Sequence, residues 1–277
     1  MSYGNTPLIK ISDGIYGKLE AYNPTGSVKD RLIKFLIEKE VSNKKINSDT
    51  VFCEATSGNT GIALASAAAS FGVICRIYMP ANMSKERVDM MSAFGAKIIK
   101  VPDNDFEEAI RQRDIFLNKN KNSWSPMQFS NPNNIDCHFS TTAPEIHKQV
   151  AKKWSAFIHG SGTGGTIAGV KKYIDSLSLP TKVCLVVPAE EKHGIQGIGD
   201  GQDFLATPSE YDDIYIIRTE DAITRSKQFA KSSGYLVGIS SGANILAAEL
   251  WKKKNKPDGD IITILADRGE RYMSIYS

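Results

Sequence analysis

The chain lacks any apolar run approaching the ~18–20 residues that a membrane-spanning helix requires. Its opening residues, MSYGNTPLIKISDG, lack the basic-then-apolar layout of a secretory leader. Both absences lead to the expectation of a cytoplasmic protein with no membrane partner. Cysteine is scarce. Cys53, Cys75, Cys137 and Cys184 form no CxxC pair and fit no zinc-site spacing, so no metal is expected. Three of them lie in apolar, strand-like runs (VFCEA, GVICRIYM, KVCLVV) and read as buried, inert thiols. Cys137 stands beside His138, but neighbours in sequence rarely face one another, so a nucleophile pair is discounted. An excess of one charge is missing too. The 34 Lys and Arg stand against 31 Asp and Glu in 277 residues, which gives no footprint for nucleic acid. The cluster Lys252, Lys253, Lys254 then reads as a solvated helix end. There is no internal repeat and no low-complexity segment. With 41% hydrophobic and 23% charged residues, disordered, collagen-like and coiled-coil chains are excluded. The length allows one large domain or two modest ones.

What is present is alternation. Short β-branched runs are expected as strands at Ile15–Tyr22, Thr50–Glu54, Ile74–Met79, Lys97–Val101, Ser155–His159, Lys182–Val187, Ile214–Arg218 and Asp260–Leu265. Between them, helices are expected to begin near Asp30, Asn59, Ser84, Asp105, Thr142, Gly164, Thr219 and Ser240. The first shows Leu32, Ile33, Leu36 and Ile37 at helical spacing. Such alternation predicts an α/β protein with mainly parallel sheets. Uniformly apolar strands such as CLVV suit a sheet covered on both faces. Loops concentrate at Asn118–Asn134 and Pro188–Glu210, and the second is long enough to be functional or mobile.

Three turns rich in glycine open helices. After the strand SAFIH comes Gly160-Ser161-Gly162-Thr163-Gly164-Gly165-Thr166. Glycines let a backbone turn its N–H groups inward, and a helix N-terminus adds partial positive charge; together they make a phosphate cradle. Neither a Walker loop nor a dinucleotide fingerprint fits, because no GK[ST] follows and the GxGxGGT spacing is wrong. The second turn is Glu54-Ala55-Thr56-Ser57-Gly58-Asn59-Thr60-Gly61, which offers hydroxyls and an amide to a carboxylate or another anion. The third is Gly238-Ile239-Ser240-Ser241-Gly242. Either of the last two alone would be an ordinary capped helix start; three in one α/β chain point to a ligand at strand C-termini. In Asn23-Pro24-Thr25-Gly26-Ser27-Val28-Lys29, Pro and Gly break the chain before a helix and place Lys29 at the junction. There the helix dipole opposes its charge, which would lower its pKa and favour a Schiff base. A solvated surface lysine remains the alternative on chemistry alone.

The blocks NPTGSVKDR, EATSGNTGIALA, QFSNPNN…TTAPEI, GSGTGGTIAGV and GISSGAN occur in the order seen in cysteine synthases. Over about residues 4–276 the chain resembles these fold-type II enzymes, which use pyridoxal 5′-phosphate (PLP). MPANMSKER, VPAEE and ADRGERYMS resemble the B-type O-acetylserine sulfhydrylases. Short bacterial cystathionine β-synthases share most of the blocks. The resemblance implies a tryptophan synthase β-like fold of two α/β domains with PLP in the cleft between them. A smaller mobile domain at 23–140 would carry the substrate loop, and 1–22 with 141–277 would form the larger one with the phosphate loop. Lys29 would be the Schiff-base lysine and catalytic base. Asn59 would bond the cofactor's 3′-oxygen, Gly162, Thr163, Gly164, Gly165 and Thr166 would wrap its phosphate, and Ser240 would meet the pyridine nitrogen. Thr56, Ser57, Thr60 and Gln128 would take the substrate carboxylate. A homodimer is expected.

The activity implied is β-replacement, making L-cysteine from O-acetyl-L-serine and sulfide or a thiol through an α-aminoacrylate. Alternatives using the same chemistry are cystathionine β-synthase, cysteine desulfhydrase and 2,3-diaminopropionate synthase; a non-catalytic regulatory relative would be expected to have lost Lys29 or a cofactor contact. Phosphoserine would want a local Arg or Lys, and the matched loops show none. B-type enzymes carry an arginine-containing stretch near Gly199 and Asp200, so use of charged sulfur donors is not carried over. His159, unusual before the phosphate loop, is expected to be a hydrogen-bonded strand-end histidine.

Overall fold

A computed structural model describes residues 3–199, 205 and 207–276. In chain order the strands and helices are β1 (Leu8–Ser12), β2 (Ile15–Leu19), α1 (Lys29–Ser42), β3 (Val51–Ala55), α2 (Asn59–Phe71), β4 (Cys75–Pro80), α3 (Lys85–Ala93), β5 (Lys97–Val101), α4 (Phe106–Lys119), β6 (Ser123–Trp124), α5 (Asn133–Ser140), α6 (Thr142–Gln149), β7 (Trp154–Gly160), α7 (Gly165–Ser176), β8 (Lys182–Pro188), β9 (Asp213–Ile217), α8 (Thr219–Ser233), α9 (Ile239–Asn255), β10 (Asp260–Leu265) and α10 (Met273–Tyr276). They group into two units, Met1–Val28 with Gln128–Ser277, and Lys29–Met127. The smaller unit is thus narrower at both ends than the 23–140 segment expected.

The larger unit holds a six-stranded sheet in the order β1-β2-β10-β7-β8-β9, parallel except for the β1–β2 hairpin. Every residue of β7 and β10 is buried, because helices cover both faces. Ala156, Ile158 and Ile261 face one core with Ala243, Ala247 and Trp251 of α9, while Phe157, Ile262 and Ile264 face a second with Ile167, Val170 and Ile174 of α7. That two-sided demand is why these strands are almost uniformly apolar.

The smaller unit is an all-parallel sheet, β5-β4-β3-β6. Phe52, Ile77 and Met79 pack with the alanine-rich α2 and with Ile33 and Ile37 of α1. Cys53 pairs with Arg76 across the strands, whereas Cys75 pairs with Phe52, so the two thiols enter different cores. All four cysteines are free and buried, and burial pushes the thiols of Cys53, Cys75 and Cys184 up to about 12. The native protein is therefore expected to leave an alkylating reagent unconsumed at pH 8 and to react fully once unfolded. Mass spectrometry of labelled peptides checks this, and a rapidly modified cysteine in the folded protein would contradict it.

β1, β6, α5 and the four-residue α10 stand outside the strands and helices expected from the sequence, and β2 ends at Leu19, passing into a 3₁₀ turn at Glu20–Tyr22. The segment expected as a loop from Pro188 is firmly seated at Gly194–Gly199, where Ile195 and Ile198 are buried; Asp200 lies outside the described residues. No helix among the described residues is long and apolar enough to cross a membrane.

Candidate active site

In the larger unit, the turn after β7 builds an anion cradle from backbone. Gly164 takes a left-handed φ of +88° as it caps α7. Among the described residues the N–H groups of Gly162, Thr163, Gly164 and Thr166 meet no acceptor, and the first turn of any helix leaves such donors open. The hydroxyl of Ser161, 7% exposed, is likewise buried without a partner among those residues. The glycines answer to packing as well as to the turn. A Cβ on Gly162 would meet the Gly197 carbonyl at 2.5 Å, and one on Gly165 would strike the Asn134 amide. The seated Gly194–Gly199 segment is therefore the outer wall of the loop, bonded through Gly199 N to Ser161 O at 2.8 Å.

Two asparagines connect this cradle to the other expected site residues of the unit. Asn134 Nδ2 donates to the Thr163 hydroxyl and to Gln128 O, each at 2.9 Å, so one buried amide ties Gln128 to the phosphate loop. Asn244 Oδ1 accepts from Gly160 N at 2.9 Å, and its Nδ2 donates to Ile264 O at 2.9 Å. Asn244 lies one turn along α9 from Ser240, which is 5% exposed in the helix's first turn. Asn244 also faces His159 Nδ1 at 3.1 Å, which makes His159 the hydrogen-bonded strand-end histidine expected. His138 does not serve Cys137: its ring nitrogens face the hydroxyls of Thr142 at 2.8 Å and Thr166 at 3.2 Å. Both asparagines stood inside quoted motifs (SNPNN and SSGAN), and a buried amide there was the signal available for them.

In the smaller unit, Lys29 is the first residue of α1 and half-buried. The turn after β3 carries Thr56, Ser57, Asn59 and Thr60 into the start of α2. Thr56 Oγ1 accepts from Gly58 N at 3.3 Å, tightening the turn. Gly61 packs closely on Met91: a Cβ there would meet Met91 Sδ at 2.7 Å and displace it. The turn is anchored by Glu54, which the sequence reading did not select. Its carboxylate, 2% exposed, accepts from Ala55 N at 2.8 Å, from Arg113 Nη1 at 2.7 Å and from Met127 N at 3.0 Å. Met127, at φ +52°, is the residue before Gln128. One buried acid thus fixes the backbone leading into both expected carboxylate-binding segments. Among the described residues no three His, Cys, Asp or Glu side chains converge as a metal site.

Residues 1–267 match the family described as pyridoxal-phosphate dependent enzyme. The chain belongs to that family. It is 38% identical to cysteine synthase B of Campylobacter jejuni, over 98% of this chain and 95% of that one. It is 34% identical to an O-acetylserine dependent cystathionine β-synthase of Bacillus subtilis, over 98% and 94%. A solved structure of a hydrogen sulfide-producing enzyme from Fusobacterium nucleatum superposes with a TM-score of 0.89 at 37% identity, covering 97% of each chain. The protein is accordingly a fold-type II PLP enzyme of the cysteine synthase and cystathionine β-synthase group, and its cofactor is PLP. The cradle suits that cofactor: open backbone N–H groups and the orphaned Ser161 hydroxyl form an uncharged donor set of the kind a phosphate ester takes at a helix start.

Proposed function

We propose that this enzyme makes L-cysteine from O-acetyl-L-serine and sulfide. The observation that carries the reading is the chemistry of its two anion-accepting turns. Thr56–Gly61 and Gly160–Thr166 both open helices, and neither contains a charged side chain. One such turn serves the cofactor's phosphate and the other an amino-acid carboxylate, and no cation remains within them for a phosphorylated leaving group. The cysteine synthase names of relatives at 36–38% identity support sulfide as the partner.

Bound PLP supplies an electron sink for the substrate's Cα. Lys29 would hold the cofactor, and its amine is the group that would take the substrate's Cα proton and return one to the product. Gly162–Thr166 would hold the phosphate and Asn59 the 3′-oxygen. Thr56, Ser57, Thr60 and Gln128 take the substrate carboxylate and so orient Cα. Ser240 would offer the ring nitrogen a neutral hydroxyl, which does not hold a proton there as a carboxylate would, and this would suit loss of a β-substituent. The proposed assembly is a homodimer in the cytoplasm, and a solution mass of one chain would overturn the dimer. A second reading, sulfide release from cysteine, is favoured by the likeness to the Fusobacterium enzyme.

Titrating the holoenzyme with O-acetylserine, phosphoserine, serine and cysteine tests the leaving group. O-acetylserine should shift the cofactor's visible band at the lowest concentration; a lower requirement for phosphoserine or cysteine would replace the proposal. Thr56→Ala and Gln128→Ala should each remove a hydrogen bond to a charged group, about 1.5–3 kcal/mol, and raise the amino-acid KM roughly tenfold to a hundredfold. The resting cofactor spectrum should stay intact. If either variant instead loses PLP, the residue belongs to the cofactor's surroundings.

A further inference from the structure

The segment Ala266–Tyr272 follows β10. Its two edges bond different parts of the larger unit. Along one edge Val28 N donates to Ala266 O at 2.9 Å, Ser27 bridges Asp267, and Arg268 N donates to Gly26 O at 3.1 Å. Arg268 Nε adds a bond to Ala21 O at 2.8 Å. Along the other edge Gly238 N donates to Asp267 O at 3.1 Å, Gly269 N to Leu236 O at 3.0 Å, and Ala266 N to Ser241 Oγ at 3.0 Å. The first edge ends one residue before Lys29, and the second flanks Ser240.

Arg271 is the unusual member. It is 4% exposed, and among the described residues no carboxylate pairs with it and its Nε has no partner. A buried cation without a counter-charge is costly. Its fork is spent on two successive carbonyls: Nη1 donates to Gly26 O at 2.7 Å and Nη2 to Thr25 O. Between those carbonyls Gly26 holds a φ of +84°, where a Cβ would meet the Arg268 side chain at 2.8 Å. A planar two-pronged donor can hold both carbonyls of such a turn; an ammonium cannot hold them in the same fixed geometry.

We infer that Arg271 is a positioning residue: its fork fixes the Thr25–Gly26 turn that delivers Lys29, within a segment whose opposite edge fixes the helix start bearing Ser240. The inference rests on the roles proposed above for Lys29 and Ser240.

The test uses holoenzyme carrying R271K or R271M, with Arg225→Met as a control that disturbs only the α8–α9 ion pair to Glu249. Visible circular dichroism reads the cofactor's placement, thermal melting reads the fold, and borohydride trapping with peptide mapping reads the attachment. R271K and R271M should keep PLP on Lys29 yet show an altered visible dichroic band. Their kcat should fall about tenfold to a hundredfold, as expected of misplacement, with less than threefold change in amino-acid KM. Arg225→Met should leave the band unchanged. If R271M does not fold, Tyr272→Phe takes its place. It removes the 2.6 Å hydroxyl bond to Asp267 and should alter the same band in the same sense. A wild-type band and wild-type kcat in folded Arg271 or Tyr272 variants would overturn the inference. Trapping on a lysine other than Lys29 in the wild-type protein would instead overturn the reading beneath it.

Discussion

Lys29→Ala is expected to lower kcat for cysteine formation by at least about 10³-fold, within the range that loss of a positioned general base produces. In the proposed mechanism two roles end together, because the same amine would hold the cofactor and exchange the Cα proton. The placement of the residue suits the first role. It opens α1 directly after a turn whose backbone is held by Ala266, Arg268 and Arg271, so its point of departure is fixed. Borohydride reduction of the wild-type protein followed by peptide mapping should put the pyridoxyl group on Lys29, and Lys29→Ala should take up no label. A label on another lysine would remove Lys29 from the site.

Glu54→Ala should destabilise the protein by about 3–5 kcal/mol, the usual cost of stranding one partner of a buried ion pair. The lower end is expected, since Asp114, 46% exposed, remains on Arg113 at 2.8 Å. Ala55 and Met127 would also lose the acceptor for their N–H groups. The double variant Glu54→Met with Arg113→Met should recover much of the loss, because replacing a whole buried pair with apolar side chains is often close to neutral. Neither should restore the affinity for amino acid, as the carboxylate that fixes the Thr56 turn and the approach to Gln128 is gone in both. Urea unfolding together with KM measurement checks this. A Glu54→Ala protein as stable as wild type would show the ion pair to be dispensable.

The alternation of strands and helices was legible because both parallel sheets bury their central strands on two faces, leaving runs such as KVCLVV. The missed elements have weak local signals. β1 is a half-exposed edge strand, LIKIS, and β6 is only two residues long. α5, NNIDCHFS, has poor helix formers and exists by packing on α7, where a Cβ on Gly169 would meet the Ile135 carbonyl at 2.5 Å. That the glycine turns and Lys29 stand at helix starts could be read because those signals are local. Asn134, Asn244, Glu54 and Arg271 could not, since each bonds a group 29 to 245 residues away. For the same reason the 23–28 turn was expected with the smaller unit. Its partners are the arginines near the other end of the chain, which place it with the larger one.

The central claim is tested most directly by competition in a single vessel. Holoenzyme receives O-acetylserine with equal concentrations of sulfide and homocysteine, and mass spectrometry follows cysteine and cystathionine from the first turnovers. The expected result is cysteine as the dominant product, with acetate released in equal amount. Dominant cystathionine, or no consumption of O-acetylserine while added cysteine is broken down to sulfide, would contradict the assignment.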